Sequence, residues 1–274
     1  MVRISKNSFA LGVFAIGFSL ATFSAQANTL PGLTNLNFLS YTGTAPKGGF
    51  TSVNPTGWTG GSGLIFIDTP GDATNPNSAC GAIYLDTYGC PSTLSIPGGY
   101  NYVEADGNPD FESGFSYALT GLTVGTTYQL SFYQAASQAR GFSGDTTEQW
   151  IVSLGTSGLT DCAGCLGGGD SYYSNADTSA SIVATNLMHT PSMGLVDWNY
   201  VAVNLTADAT NQILSFLAWG NNGNTANLPP IVFLAGVNSA AGLTTPEPGT
   251  VAIFGCGLLA LGIIVIRRRR SSAV

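Results

Sequence analysis

Residues 127–134 read Thr-Tyr-Gln-Leu-Ser-Phe-Tyr-Gln, a stretch in which apolar and polar side chains alternate. Successive side chains of a β-strand point to opposite faces, so Tyr128, Leu130 and Phe132 share one face and the residues between them share the other. This pattern predicts a strand with one face in the core and the other toward solvent. The preceding residues 121–125, Gly-Leu-Thr-Val-Gly, predict a turn, because glycine adopts a positive φ at little cost.

Short runs of the same kind recur along the chain and are separated by Gly, Pro and Asn. No amphipathic helical period stands out between residues 30 and 240. Strands at this spacing predict an all-β fold, an antiparallel β-sandwich formed by one domain over residues 28–240. The other predicted strands cover residues 63–68, 149–154, 198–205, 212–219 and 230–237.

The charge balance of residues 28–249 is strongly acidic. Lys47 and Arg140 are the two cations there, against fifteen acids, which leaves a net charge of −13. Nucleic-acid phosphates need a basic surface, so this balance excludes nucleic acid as a partner. It also disfavours docking on anionic lipid.

The first 27 residues have the three parts of a secretory signal peptide. Arg3 and Lys6 supply the positive end, residues 9–23 are mostly apolar, and residues 25–27, Ala-Gln-Ala, form a small-x-small cleavage site. A retained anchor is the alternative, but the apolar stretch is short and a good cleavage site follows it directly. We expect export through the Sec machinery and cleavage after Ala27.

The other end of the chain predicts a membrane anchor. Residues 250–266 are 17 residues without a charge, which as a helix span about 25 Å, the short end of what crosses a bilayer. Arg267, Arg268, Arg269 and Arg270 follow and should hold the basic tail, residues 267–274, in the cytoplasm. The alternative is a buried helix of a soluble core, which four consecutive arginines disfavour.

The tail resembles the PEP-CTERM sorting signal. Its three parts stand in the family's order, with Pro246, Glu247 and Pro248 inside a linker of residues 241–249, then the apolar helix, then the arginines. The resemblance implies recognition by exosortase, a membrane protease-transpeptidase that cleaves near the Pro-Glu-Pro. It also implies an inner-membrane-anchored precursor that reaches the cell surface or the extracellular matrix, often with exopolysaccharide or biofilm.

A second resemblance covers roughly residues 100–240. Several short segments match, in order, a recurrent ectodomain of PEP-CTERM proteins that is similar to galactose-binding-like jelly rolls. The resemblance implies the architecture of many carbohydrate-binding modules, without catalytic residues to carry over. The matching segments are residues 105–107, 121–125, 128–136, 144–150, 198–199, 214–218 and 229–237, with 57–59 upstream.

The chain departs from these jelly rolls at two positions. Related domains often hold a structural calcium with an Asn-Gly-x-Phe-Glu segment and a Leu-Asp-Gly-Val segment. Leu39 and Ala235 stand where the two carboxylates would be, and neither offers calcium the hard oxygen ligand that it needs. We expect the ectodomain to fold without that ion.

A cluster of acids is the strongest candidate for chemistry. Glu104, Asp106, Asp110 and Glu112 lie within nine residues, with Gly107 and Asn108 between them. Three interpretations are open, in decreasing order of weight: a solvated acidic loop, a calcium site whose spacing is not that of an EF-hand, and a carboxylate pair for glycoside hydrolysis. We predict no metal site and no cofactor.

Histidine and cysteine favour structural roles. His189 is the one histidine, and no Gly-x-Ser-x-Gly motif accompanies it as a nucleophile. The exported part holds four cysteines, an even number in an oxidising compartment, which predicts two disulfides over a zinc or redox site. Three pairings are possible, and the local ones are preferred, Cys80 with Cys90 and Cys162 with Cys165.

Aromatic residues suggest where a sugar would bind. Phe132 and Trp150 lie on apolar strand faces and are predicted to be core. Other aromatics lie among Gly, Ser and Asn, where loops and exposure are expected. These candidate ligand-binding residues are Trp58, Tyr100, Tyr102, Tyr172 and Tyr173.

The predicted function is that of a non-enzymatic, exported surface or matrix protein, with extracellular polysaccharide as its candidate ligand. An exported glycan-active hydrolase is the alternative, and it would need convergent carboxylates in a cleft. An ice-binding surface is more remote, because the threonines do not repeat at a fixed period.

Overall fold

The chain folds into antiparallel β-strands, which confirms the all-β prediction. The computed structural model describes residues 28–42, 48–49, 54–61, 63–68, 85, 87–89, 101–111, 113–167, 170–224 and 228–238. Within these residues the only helical elements are two short 3-10 turns, Pro109–Phe111 and Asn221–Gly223. The strands are β1 (Tyr41–Thr42), β2 (Gly48–Gly49), β3 (Asn54–Pro55), β4 (Trp58–Gly60), β5 (Ile65–Asp68), β6 (Tyr102–Asp106), β7 (Gly114–Thr120), β8 (Thr127–Gln138), β9 (Thr146–Gly155), β10 (Leu159–Gly167), β11 (Asp170–Asn175), β12 (Ser181–Ala184), β13 (Met188–Thr190), β14 (Leu195–Thr206), β15 (Asn211–Gly220) and β16 (Pro230–Asn238).

Two six-stranded sheets contain most of these strands. The first sheet has the order β12-β9-β15-β7-β4, with β13 also paired to β9. The second sheet has the order β14-β8-β16-β6-β5-β2. Neighbours in both sheets are often far apart in sequence, so long-range register, rather than local hairpins, sets which side chains meet.

The core lies between the two sheets. Phe132 of β8 and Phe216 of β15 approach each other with ring centroids 5.5 Å apart, and Phe115 of β7 stacks on Phe216 at 4.8 Å. Phe132 and Trp150 are fully buried, as predicted. The inward residues of both sheets form one hydrophobic cluster, which makes the fold an antiparallel sandwich.

Trp58 belongs to this core, so the expectation that it is exposed is wrong. It is 1% exposed, because β4 pairs with β7 and turns the indole inward. The ring lies 5.4 Å from that of Phe38 and 5.2 Å from that of Phe115. Its Nε1–H donates to the carbonyl of Asn35 at 3.2 Å, which satisfies the buried donor.

A hairpin of β10 and β11 lies against the outer side of the first sheet. Tyr173 of β11 packs edge-on to Trp219 of β15, with ring centroids 5.1 Å apart. The Asn175 amide donates to the Ser153 hydroxyl at 3.2 Å. This side of the sandwich is therefore partly covered by the chain itself.

All the described residues lie within one compact unit, Ala27–Leu243. The predicted signal peptide (1–27), the linker from 241 with Pro246, Glu247 and Pro248, the apolar segment 250–266 and the basic tail 267–274 lie outside them. Within the described ranges, no helix is long and apolar enough to cross a membrane.

Candidate functional site

Two tyrosines lie side by side on the outer side of the second sheet. Tyr133 of β8 and Tyr200 of β14 are direct partners in the strand register. Their ring centroids are 5.6 Å apart and the ring planes meet at 68°. Tyr200 is 43% exposed and Tyr133 is half-buried, so the pair presents an aromatic surface to solvent.

The residues on the inner side of these strands explain why the tyrosines point outward. Leu130, Phe132, Val201 and Val203 are buried in the core between the sheets. Because side chains alternate across a strand, the intervening positions face away from that core. The alternation predicted for β8 is confirmed for its inward face. On the outward face Thr127, Gln129 and Tyr133 reach solvent, whereas Ser131 is buried, and the alternation continues on β14.

Polar side chains extend the surface along the same two strands. Cross-strand pairing aligns the half-buried Gln129 with the exposed Asn204, and it aligns Ser131, which is buried, with the exposed Ala202. At the far end, the hydroxyls of the paired Thr127 and Thr206 are 2.8 Å apart. Six residue steps of a strand cover about 20 Å, which is the length of this surface. We name it the tyrosine face; it consists of Thr127, Gln129 and Tyr133 of β8 and Tyr200, Ala202, Asn204 and Thr206 of β14.

The tyrosine face carries no formal charge. No charged residue occurs in β8, and Asp197 is the one charged residue in β14. The face thus offers aromatic rings, amides that both donate and accept hydrogen bonds, and hydroxyls. That combination of apolar contact with a few directional polar groups is typical of ligand sites.

The rest of the outer side of the second sheet is closed. Tyr102 of β6 and Phe233 of β16 are buried in a second apolar cluster, which Leu85 also joins. Trp198 of β14 borders the tyrosine face and packs edge-on to both rings, at 6.0 Å from Tyr102 and 6.3 Å from Phe233. The open surface is therefore confined to β8 and β14.

The acidic cluster does not form the solvated loop that was favoured from the sequence. Glu104 is 0% exposed and Asp106 is buried beside it, because β6 is an interior strand between β5 and β16. Asp110 lies exposed on the first 3-10 turn, and Glu112 lies outside the described residues. In the described part of the chain, no group of three or more His, Cys, Asp or Glu side chains is arranged to hold a metal ion.

Burial changes the chemistry of Asp106. Loss of solvent raises the pKa of its carboxyl to about 7, although the backbone N–H of Asn108 donates to Oδ1 at 2.8 Å and lowers the pKa in part. A carboxyl with this pKa is partly protonated at neutral pH. In β6, Asp106 lies on the same side of the strand as Tyr102 and Glu104. This side is in the closed half of the second sheet.

A second perturbed acid, Glu148, was not identified from the sequence. It lies on β9 two residues before Trp150, on the side that faces the core, and is fully buried. Burial raises the pKa of its carboxyl to about 7, and the Thr190 hydroxyl, which donates to Oε2 at 2.7 Å, lowers it in part. The sequence does indicate that Glu148 faces the core, because it precedes Trp150, Val152 and Leu154 at the same alternate positions of the strand.

The remaining aromatic candidates are scattered. Tyr102 is buried, so its predicted exposure is wrong, because Ala235 and Asp68 flank it in the sheet and Trp198 covers its ring. Tyr172 is 43% exposed on β11, and Tyr173 is half-buried against Trp219. Tyr100 lies outside the described residues.

Tyr133 and Tyr200 are not among the candidate ligand-binding residues predicted from the sequence. Those candidates were chosen from segments rich in Gly, Ser and Asn, whereas these two tyrosines lie within regular strands. The alternation of side chains is the feature of the sequence that indicates their exposure, since each tyrosine lies on the polar side of an amphipathic strand. Their proximity was not visible, because the register joins residues 67 positions apart.

The histidine and cysteine candidates lie away from the tyrosine face. His189 is exposed on β13, between the buried Met188 and Thr190. Cys162 and Cys165 both belong to β10, within the stretch where its pairing with β11 is irregular, and nothing in the strand supports the disulfide predicted between them. Cys80 and Cys90 lie outside the described residues.

The segment that replaces the calcium-binding one lines a cavity of about 470 Å³. The Asn35 side chain organises this segment, because Nδ2 donates to the Ser40 carbonyl at 2.6 Å and Oδ1 accepts the Ser40 N–H at 3.0 Å. Leu39 is 51% exposed at the cavity, whereas Ala235 is fully buried in β16. The described residues that line the cavity are Thr34, Asn35, Asn37, Leu39, Ser40 and Thr56, none of which is a carboxylate.

Comparison with protein families and with curated proteins finds no match. Among solved structures, the chain is similar to an arabinose-bound α-L-arabinofuranosidase (14% identity, TM-score 0.37), covering 78% of this chain but 26% of that one. It is similar to the K2 adhesin domain of Lys-gingipain (13%, TM-score 0.35; 75% and 96% covered) and to the module TmCBM61 in complex with β-1,4-galactotriose (11%, TM-score 0.33; 77% and 97% covered). At TM-scores this low the likenesses carry no functional argument.

Proposed function

We propose that this chain is an exported surface protein whose sandwich domain binds extracellular polysaccharide on the tyrosine face. The proposal rests on the Tyr133–Tyr200 pair, whose ring centroids are 5.6 Å apart. The pair is open to solvent on an uncharged strand surface. A sugar ring has an apolar face of C–H groups and an equatorial rim of hydroxyls. The tyrosine rings can pack against the C–H face. The neighbouring amides and hydroxyls can form hydrogen bonds with the hydroxyl rim.

The shape of the face favours a polymer over a single sugar. The surface is about 20 Å long, and it is open rather than enclosed. Gln129 and Asn204 lie opposite each other partway along it, and Thr127 and Thr206 lie at its end. A glycan chain lying along the strands would meet the aromatic pair and then successive hydrogen-bonding groups.

We propose a binding protein and not a hydrolase. Glycoside hydrolysis uses two carboxyl groups that flank one bond. The acids with raised pKa lie elsewhere, Glu148 inside the sandwich and Asp106 beneath the closed half of the sheet. The tyrosine face itself contains no carboxylate.

Alanine substitution tests the binding site. In the full-length protein, Tyr200→Ala should weaken binding to soluble polysaccharides at least tenfold, about 1.4 kcal/mol, because a central aromatic contact is removed. Tyr200→Trp keeps an aromatic ring and should keep binding. Affinity electrophoresis in native gels against a polysaccharide panel measures both.

Tyr172→Ala is the matched control, since Tyr172 is equally exposed but lies on β11, away from the second sheet. It should leave binding unchanged. Equal loss in the Tyr172 and Tyr200 variants, or no binding to any polysaccharide by the unsubstituted protein, would contradict the proposed site.

We also propose that the tail sorts the protein through an exosortase-type enzyme after Sec export. The support is the order of the three sequence parts, the Pro-Glu-Pro at 246–248, the apolar run and the arginines. Replacing Pro246, Glu247 and Pro248 by alanine should leave a full-length precursor in the membrane. Alanine at Leu243, Thr244 and Thr245 is the control and should be processed normally. Release of the first variant at the normal rate would refute sorting through this motif.

A further inference from the structure

We infer that the polysaccharide bound at the tyrosine face is an uncharged one. This inference rests on the proposed function and narrows it to a substrate class. The two 12-residue strands that carry the tyrosine face contain a single charged residue, Asp197, which is not one of the residues of that face. The face therefore offers a ligand aromatic contact and hydrogen bonds from amide and hydroxyl groups, and no charge of its own.

Recognition of an acidic glycan would require a cation near the face. Among the described residues Arg140 is the only Lys or Arg, and it lies seven positions beyond Tyr133, past the end of β8. Its Nε–H donates to the Thr87 carbonyl at 3.0 Å. This contact joins Arg140 to residue 87, beyond the end of β8.

The surrounding field works against an acidic glycan. Residues 28–249 carry a net charge of −13, so a polyanion would meet repulsion from the whole domain. Asp197 lies three residues before Tyr200 in the same strand, within about 10 Å, the distance over which charges still interact at 0.1 M salt. Like charges brought together at an interface weaken binding.

The polar groups of the face suit hydroxyls. Gln129 and Asn204 each carry an N–H₂ donor and a carbonyl acceptor, so each can bind a hydroxyl group in either of its roles. The hydroxyls of Thr127 and Thr206 have the same dual capacity. A carboxylate accepts hydrogen bonds only, and a face without a cation offers it no compensation for lost hydration.

The experiment compares matched pairs of probes on the full-length protein. Each neutral polysaccharide that binds is tested beside the same polymer after its C6 hydroxymethyl groups have been oxidised to carboxylates. The oxidised polymer should bind at least tenfold more weakly at 0.02 M salt. Part of this loss should be recovered at 1 M salt, where charges are screened within about 3 Å.

A charge introduced on the face provides the second arm. Ala202→Lys places a cation beside Ser131 on the exposed side of β14 and should restore binding to the oxidised polymer. Ile182→Lys, with the same net charge but on β12 of the first sheet, should not.

The possible failures are distinguishable. If the oxidised polymer binds the unsubstituted protein as tightly as its neutral parent, the inference is wrong while the proposed function stands. Equal rescue by the two lysine variants would likewise overturn it, since net charge and not the face would then control binding. If neither form of any polysaccharide binds, both the proposed function and this inference are wrong.

Discussion

The indole N–H of Trp150 in β9 donates a hydrogen bond to the backbone carbonyl of Phe233 in β16, at 3.1 Å. Both residues are fully buried, and they belong to opposite sheets of the sandwich. The Phe233 ring lies on the other side of its strand, in contact with Trp198 at the border of the tyrosine face. One polar contact thus joins the first sheet to the strand that supports the open surface.

This hydrogen bond predicts unequal costs for two tryptophan substitutions. Trp150→Phe leaves a buried carbonyl lone pair without its indole donor and creates a void, and it should lower the free energy of unfolding by about 2–4 kcal/mol. Trp198→Phe is the matched control. In the described structure, Trp198 Nε1 has no hydrogen-bond partner, so the change should cost less than about 1.5 kcal/mol. Urea unfolding measures both values, and equal losses would contradict the role of the inter-sheet bond.

Glu148 predicts that stability depends on pH in an unusual direction. Its carboxyl has a pKa of about 7 in the folded chain and an ordinary value of 4.5, because burial disfavours the charged form. The unfolded state therefore loses its proton first as pH rises. The contribution of Glu148 to stability is fully present below pH 4.5, is lost as pH rises from about 4.5 through 7, and stays constant above that, a change of about 3 kcal/mol.

Glu148→Gln removes the titration and keeps an acceptor for the Thr190 hydroxyl. The variant should gain stability relative to the parent at pH 8 and match it near pH 4.5. Asp106, whose pKa is also raised to about 7 by burial, contributes with the same sign, so a shallower slope should remain. Asp110→Asn is the control, on an exposed carboxyl. Urea melts at half-unit steps from pH 4.5 to 8.5 provide the test, and an unchanged slope in Glu148→Gln would contradict the assignment.

The alternation of polar and apolar residues carried the fold prediction because it reports burial directly. In β8 and β9 the inward positions hold large apolar side chains, so the strand and its buried face follow from spacing alone. Trp58 shows the limit of local context. Its neighbours are Thr, Gly and Pro, typical of a loop, but pairing of β4 with β7 buries the ring.

The candidate site could not be predicted from the sequence around each residue, for a related reason. Tyr133 and Tyr200 become neighbours only through the register of β8 and β14, which the two strand sequences do not reveal separately. The prediction for the acids of β6 was wrong for the opposite reason. Their closeness in sequence suggested a loop site, whereas the strands on both sides of β6 bury Glu104 and Asp106.

Gly220 provides a last prediction, at the point where β15 ends beside the start of β16. Its N–H donates to the carbonyl of Gly107 at 2.7 Å, and a Cβ added here would overlap the Pro230 ring. The ring is rigid and the strands on either side are paired, so the clash cannot be relieved by a side-chain rotation. Gly220→Ala should therefore lower the free energy of unfolding by about 2–3 kcal/mol. Gly158→Ala is the control, because no heavy atom lies within 4 Å of its added Cβ, and it should change stability by less than about 1 kcal/mol. Urea unfolding of both variants decides the matter, and a Gly220 variant as stable as the Gly158 variant would show that this junction is not tightly packed.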